Sequence, residues 1–315
     1  METLVFWIAI FVISLFVMLK GADWFLVSSE KIGRALGLSA FIIGAVIVGL
    51  GTSLPELAVA LFALVQGAED VIVSNAVGSN ISNILLIIGI AAIVARKLVV
   101  SKNLIDIDLP MLASSTAIFL VVTWNQEVSF AEALILIGAY TIYFAYTIFS
   151  KDVGIDNEDE TVHKKERITL RLIGMLVLSG IALVFGAKYL INSVVSIAEI
   201  LDVQSALISI TAVAVGTSLP ELIVSIKAAL SGKSEIAVGN IFGSNTFNAL
   251  MVVGVPALFS NLHVDPMTFQ IGLPIMAVAT FLFLFSGISR KIYLWEGAMF
   301  TLLYIYFIGR LFYIF

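Results

Sequence analysis

Apolar stretches of about 20 residues, the length a helix needs to cross the hydrocarbon core of a bilayer, follow one another along almost the whole chain. Ten windows stand out, near residues 3–20, 40–66, 71–95, 109–124, 130–149, 170–190, 205–230, 236–259, 268–286 and 293–313. Gly, Pro or polar residues interrupt the second, third, seventh and eighth, so those helices are expected to be discontinuous. The pattern predicts an all-α polytopic membrane protein with ten transmembrane helices. The first window follows METL directly, with no basic segment ahead of it and no small-residue cleavage site, and reads as a retained span rather than a removed leader.

Composition makes lipid the solvent: 60% of residues are hydrophobic, 12% are charged and the mean hydropathy is +1.10. The basic residues then orient the chain. Connections after the odd-numbered windows hold Lys20, Lys31, Arg34, Arg96, Lys97, Lys102, Lys151, Lys164, Lys165, Arg167, Arg171, Lys233, Arg290 and Lys291, whereas those after the second, fourth and eighth hold none. Lys188 and Arg310 lie near the opposite side. The positive-inside rule therefore places the odd connections in the cytoplasm and both termini outside.

Sliding the sequence against itself shows an internal duplication. Gly51-Thr52-Ser53-Leu54-Pro55-Glu56 recurs as Gly216-Thr217-Ser218-Leu219-Pro220-Glu221, a shift of 165 residues, and 16 of the 33 positions from Gly51 to Asn83 match at that shift. Gly21-Ala22 recurs as Gly186-Ala187, Asn75 as Asn240, Gly78-Ser79-Asn80 as Gly243-Ser244-Asn245, and Asn83 as Asn248. Five windows separate equivalent points. An odd number sends the second copy into the membrane from the opposite side, which predicts two inverted five-helix repeats, an architecture suited to alternating access. The first would occupy 1–149, with its most repeat-like part at about 39–95, and the second 169–315, with the equivalent part at about 205–259. The hydrophilic segment 150–168 would join them in the cytoplasm. Its acids, Asp156, Glu158, Asp159 and Glu160, lack the spacing of an EF-hand loop, so it reads as a solvated linker.

Glu56 and Glu221 pose the chemical question, because a carboxylate in mid-membrane costs about 2.5–3.5 kcal/mol on insertion scales and needs compensation. Each follows a proline within a Gly/Thr/Ser-rich stretch, where lost helical hydrogen bonds leave carbonyls free to face inward. Carboxylate, carbonyl, hydroxyl and amide oxygens with no soft ligand form a set for hard cations, either Ca2+ or several Na+. Ser79, Asn83, Ser244 and Asn248 fit that set, although small polar residues also pack membrane helices together. With no Cys, and with His163 and His263 in polar connections without an expected partner, zinc, haem and thiol chemistry are unsupported and no cofactor is expected. Nothing points to an enzyme, a nucleic-acid partner or an obligate protein partner.

These segments closely resemble the repeats of the cation/Ca2+ exchanger superfamily, specifically the compact prokaryotic sodium/calcium exchangers: GTSLPE in both halves, each followed by N-x-x-G-S-N-x-x-N. The resemblance implies ten helices, with the four interrupted spans as core and the first and sixth as long tilted helices that slide across it. It implies that Glu56 and Glu221 hold Ca2+ with Thr52 and Thr217. It also implies Na+ sites drawn from Gly49, Thr52, Ser53, Glu56, Ser79, Ala214, Thr217, Ser218, Glu221 and Ser244. Asn83 and Asn248 form the central polar pair, and Asn at 248, where potassium-dependent relatives carry an acid, implies that K+ is dispensable. The function expected is Na+/Ca2+ antiport in a prokaryotic inner or plasma membrane. Rival readings are a Ca2+/H+ antiporter, in which a buried Glu carries a proton, and a cation channel.

Overall fold

The computed structural model describes residues 2–99, 108–149, 168–201 and 218–311. Its helices are α1 Glu2–Ala35, α2 Ala40–Val65, α3 Asp70–Ala95, α4 Leu109–Val122, α5 Phe130–Phe149, α6 Leu170–Ile200, α7 Leu219–Leu230, α8 Ser234–Ala257, α9 Thr268–Ile288 and α10 Leu294–Leu311. Seven stretches within α1, α2, α3, α5, α6, α8 and α9 are long and apolar enough to cross a membrane, and α4 is a shorter apolar helix. Within the described residues α7 and α10 do not meet that standard, though they fall where the seventh and tenth spans are expected. The chain is an all-helical integral membrane protein. The segment 150–167 and the first part of the seventh window lie outside the described residues.

Burial sorts the helices into an inner and an outer set. In α8, 94% of the most apolar window is buried, and in α3 72%, against 17% for α1 and 22% for α6. Hence α8 and α3 form the centre, and α1 and α6 show most of their surface to the surroundings. α8 runs against α2 backbone to backbone. A Cβ at Gly243 would lie 1.9 Å from the carbonyl oxygen of Ala45, so only glycine permits this approach. Phe242 wedges beside it, edge-on to Phe41 and tilted against Phe283 of α9.

Helix α1 continues well beyond residue 20, where its apolar window ends. The charges that follow are compensated: Asp23 accepts from Lys227 at 2.5 Å, and Glu30 pairs with Lys233 and with Arg34. α1 packs along α6, and their crossing is symmetric in sequence, since Gly21 abuts Ala182 and its repeat partner Gly186 abuts Met18.

Two short antiparallel ladders tie the halves of the chain together: β1 Lys97–Val99 with β4 Lys291–Tyr293, and β2 Glu127–Val128 with β3 Leu262–His263. Lys97 pairs with Tyr293, and the residues displaced from them by 165, Leu262 and Val128, pair in the other ladder. Each ladder thus joins one half to the other with the partners exchanged. His263, expected to lie unpartnered in a polar connection, sits opposite Glu127 in the second ladder.

Replacing Gly243 by Val should prevent or severely loosen the α2–α8 contact, since overpacking a tight core costs about 1–3 kcal/mol and more where the obstacle is backbone. The Gly180→Ala variant, whose new Cβ would meet Phe25 at an ordinary 3.7 Å, should melt within a degree or two of the parent. Thermal unfolding of the two variants in detergent, followed by size-exclusion profile, measures the difference.

Candidate functional site

In the Gly49–Val65 part of α2 the buried residues are Gly49, Thr52, Ser53, Glu56 and Ala60, a spacing that a 3.6-residue helix gathers onto one face. Leu54, Val59 and Phe62 on the other side are exposed and suit lipid. The polar stripe therefore faces the centre of the bundle. Pro55 has no N–H to give the Gly51 carbonyl, yet Gly49–Val65 stays α-helical through it. The discontinuity expected at the GTSLPE segment lies earlier, as a π turn over Ile43–Val48. Such a turn re-phases the helix and loosens its carbonyls ahead of the proline. Further π turns occupy Ser82–Ile88 in α3 and Asn248–Val252 in α8, so both central asparagines sit in widened turns.

The hydroxyls of this stripe reach across to the other half. Ser53 Oγ donates to Glu221 Oε1 at 3.3 Å, and Ser244 Oγ donates to the Gly49 carbonyl at 3.3 Å. Thr52 Oγ1 has one proton and three acceptors in range: the Val48 carbonyl at 3.1 Å, the Gly49 carbonyl at 3.3 Å and Asn240 Oδ1 at 3.2 Å. Asn240 Nδ2 in turn donates to Ser225 Oγ at 2.9 Å. Glu221 stands in the first turn of α7 behind Ser218 and Pro220, all buried. Of the residues expected at the site, Gly49, Thr52, Ser53, Glu56, Ser79, Asn83, Ser218, Glu221, Ser244 and Asn248 are all buried within the bundle. Ala214 and Thr217 lie outside the described residues.

Residues not assigned to the site from sequence complete its frame. Asn80 Nδ2 donates to the Asn245 carbonyl at 3.1 Å and Asn245 Nδ2 donates to the Asn80 carbonyl at 3.3 Å, a reciprocal pair whose members are 165 residues apart. Asn83 Nδ2 donates to Asn245 Oδ1 at 2.9 Å. The signal that marks Asn80, Asn240 and Asn245 was present in the duplication, because each matches its partner at the common shift.

Glu56 is 1% exposed and Glu221 is fully buried, and among the described residues neither forms a salt bridge. Ser53, one turn ahead of Glu56 on the same face of α2, reaches Glu221 Oε1, so both carboxyl groups share one region of the core. Several buried polar atoms of the expected site residues have no hydrogen-bond partner: Glu56 Oε2, Glu221 Oε2, Ser79 Oγ, Asn83 Oδ1, and both Oδ1 and Nδ2 of Asn248. Each buried polar atom left unsatisfied costs about 1–3 kcal/mol, more if charged, and all of these except the Asn248 amide nitrogen can accept, so most lack a positive partner. Two carboxylates with neutral oxygens and no nitrogen or sulfur ligand match a hard cation. No cluster of three or more His, Cys, Asp or Glu suited to a metal occurs among the described residues.

Comparison with known proteins agrees with this chemistry. The sodium/calcium exchanger protein family profile matches residues 6–149 and 171–313. The chain belongs to that family. It is 34% identical to the sodium/calcium exchanger MaX1 of Methanosarcina acetivorans, over 97% of this chain and 98% of the relative. It is 32% identical to an uncharacterized membrane protein of Methanocaldococcus jannaschii, over 98% and 99%. Solved structures of the sodium-calcium exchanger NCX_Mj superpose with TM-scores of 0.83 and 0.84 at 29% and 28% identity. These cover 97% and 98% of this chain and 98% and 99% of theirs.

Glu56→Gln and Glu221→Gln should each reduce Ca2+ transport by at least about a hundredfold, since removing one partner of a buried charge arrangement costs about 3–5 kcal/mol. Initial Ca2+ flux in proteoliposomes, with matched size-exclusion profiles showing intact fold, is the measurement.

Proposed function

We propose that this chain is a secondary antiporter that exchanges Na+ for Ca2+ by alternating access. The observation that carries the reading is the pair Glu56 and Glu221, buried with no basic partner among the described residues and each with a carboxylate oxygen left unpartnered. One Ca2+ discharges the pair; several Na+ do the same, so the two ions compete for one set of ligands. In this scheme Ca2+ is held between the two carboxylates with Thr52 and Thr217. Na+ uses the Gly49 and Ala214 carbonyls, the hydroxyls of Ser53, Ser79, Ser218 and Ser244, and the same Glu and Thr residues.

The architecture proposed is ten transmembrane helices in two inverted repeats, 1–149 and 169–315, joined by the hydrophilic segment 150–168. The exchanged partners of the two ladders and the reciprocal bonds of Asn80 and Asn245 support it, because a two-fold relation between halves produces such pairings. The bias of basic residues supports a cytoplasmic linker and both termini outside, in a prokaryotic cell membrane.

Charge arithmetic sets the energetics. Two ionised glutamates and one Ca2+ are near neutral, whereas three Na+, the load that the resemblance to the exchanger family implies, leave one positive charge in excess, which makes the exchange electrogenic. One elementary charge crossing the full potential is worth about 2.3 kcal/mol per 100 mV. Asn83 and Asn248 supply no third carboxylate, and K+ is therefore not required.

Ca2+ uptake into proteoliposomes should be driven by an outward Na+ gradient and not by an outward proton gradient of equal size. Uptake should persist when choline replaces K+, and its thermodynamic reversal point should move with a membrane potential clamped in a separate assay by K+ and valinomycin. Uptake driven by protons alone would replace this reading with Ca2+/H+ exchange, and a voltage-independent reversal point would replace three-for-one coupling with two-for-one.

A further inference from the structure

One face of the first half of α3, from Asp70 to Ser82, is largely polar. Asp70, Ser74, Asn75, Gly78, Ser79 and Ser82, spaced at three or four residues from turn to turn, line a cavity of about 450 Å³. Ile72, Val73 and Ala76 on the opposite face are buried in the core. The facing wall is mostly apolar, with Met267, Phe307 and Ile308, and Asp265, Thr268 and Tyr304 add its polar groups. Ser79, at the inner end, is 4% exposed, lines the cavity, and has a hydroxyl without a hydrogen-bond partner. At the outer end stand Asp70, which is exposed, and Asp265, which is half-buried. Nine residues of helix separate Asp70 from Ser79, about 13 Å of rise, so the outer acids are well removed from Glu56 and Glu221.

Both aspartates have local structural roles. Asp70 lies in the first turn of α3, where the helix dipole favours a negative charge, and Asp265 Oδ1 accepts from the Met267 and Thr268 amides ahead of α9. Neither role removes the charge. Glu69, whose Oε1 accepts from Ser260 Oγ, adds a third acid nearby, and Arg310, on the last turn of α10 next to the cavity-lining Leu311, brings one positive charge with interactions of its own. The rim remains net negative, and the cavity runs from it along the α3 stripe to the unpartnered hydroxyl of Ser79.

We propose that Asp70 and Asp265 form an outer cation-collecting site, which gathers hydrated Ca2+ at the cavity mouth before it is passed along the α3 stripe. The proposal rests on the exchange reading and assigns it two further residues. Its physical content is a dependence on ionic charge. For a carboxylate about 8 Å from a hydrated ion in a water-like medium, with a screening length of about 10 Å, local Ca2+ is enriched about twofold and by two carboxylates about fivefold. Na+, with half the charge, is enriched by only about twofold in total. The mouth thus favours the divalent ion before any dehydration occurs.

The test is the Asp70→Asn, Asp265→Asn double variant, in which Asn keeps the helix-capping acceptor and loses the charge. Initial flux is measured in vesicles with Ca2+ presented in turn at each face, in dilute buffer and again in about 0.5 M choline chloride. At the face served by the cavity, and in dilute buffer, the apparent KM for Ca2+ should rise about fivefold and that for Na+ about twofold, with the maximal rate preserved. High salt should erase both shifts. The single Asp70→Asn variant should show about a twofold shift for Ca2+, and Asp70→Glu should restore the parent value. An unchanged KM in dilute buffer, an equal shift in high salt, a shift at both faces, or a loss confined to maximal rate would overturn the proposal. Failure of the exchange reading would show separately, as absence of Na+-driven Ca2+ flux in the unaltered protein.

Discussion

Two carboxylates, both buried and with no positive partner among the described residues, are the constraint from which the rest of this structure follows. Unit charges 4 Å apart repel by about 4 kcal/mol at an effective dielectric of 20, and removal from water adds a further penalty for each. A fold that keeps Glu56 and Glu221 at the centre must surround them with oxygens and leave room for a cation, or else supply a basic residue. Among the described residues it supplies none: Lys227, on the same helix as Glu221, pairs with Asp23 instead. The compensating charge therefore has to come from solution.

That requirement explains the unusual packing of the core. A site made of oxygens from both halves needs α2, α3, α7 and α8 close together, and small residues let them approach. Gly243 admits the α2 backbone, and the Asn80–Asn245 exchange replaces apolar packing with directed bonds that set the register between halves. Outside the site the halves differ. Asp23 and Glu30 tie α1 to Lys227 and Lys233, whereas the equivalent positions in the other half are Lys188, Val195, Phe62 and Ala68, which cannot form the same pairs. The binding chemistry follows the duplication, and the contacts of the outer helices have diverged from it.

Much of this was legible in the sequence because lipid imposes a strict length and composition on each span, and because a duplication marks its shared residues twice. Glu56 and Glu221 stood out for both reasons. The lengths of α1 and α6 were not legible from hydropathy, since the ion pairs of Asp23 and Glu30 that let α1 continue depend on residues some 200 positions away. The π turn before Gly49 was equally hidden: proline signals that the helix must adjust, but neighbouring packing decides where. Asn240 and Asn245 were visible as repeated residues, yet whether a buried amide frames a site or lines it depends on hydrogen bonds that sequence does not carry.

The central claim is that a single set of buried oxygens holds either one Ca2+ or several Na+. Equilibrium binding of radioactive Ca2+ to the purified protein in detergent, titrated with NaCl against a choline chloride control, measures it directly. The account predicts one Ca2+ bound per chain, displaced by Na+ with a Hill coefficient well above one and unaffected by choline. Ca2+ binding indifferent to Na+, or displaced equally by choline, would contradict it.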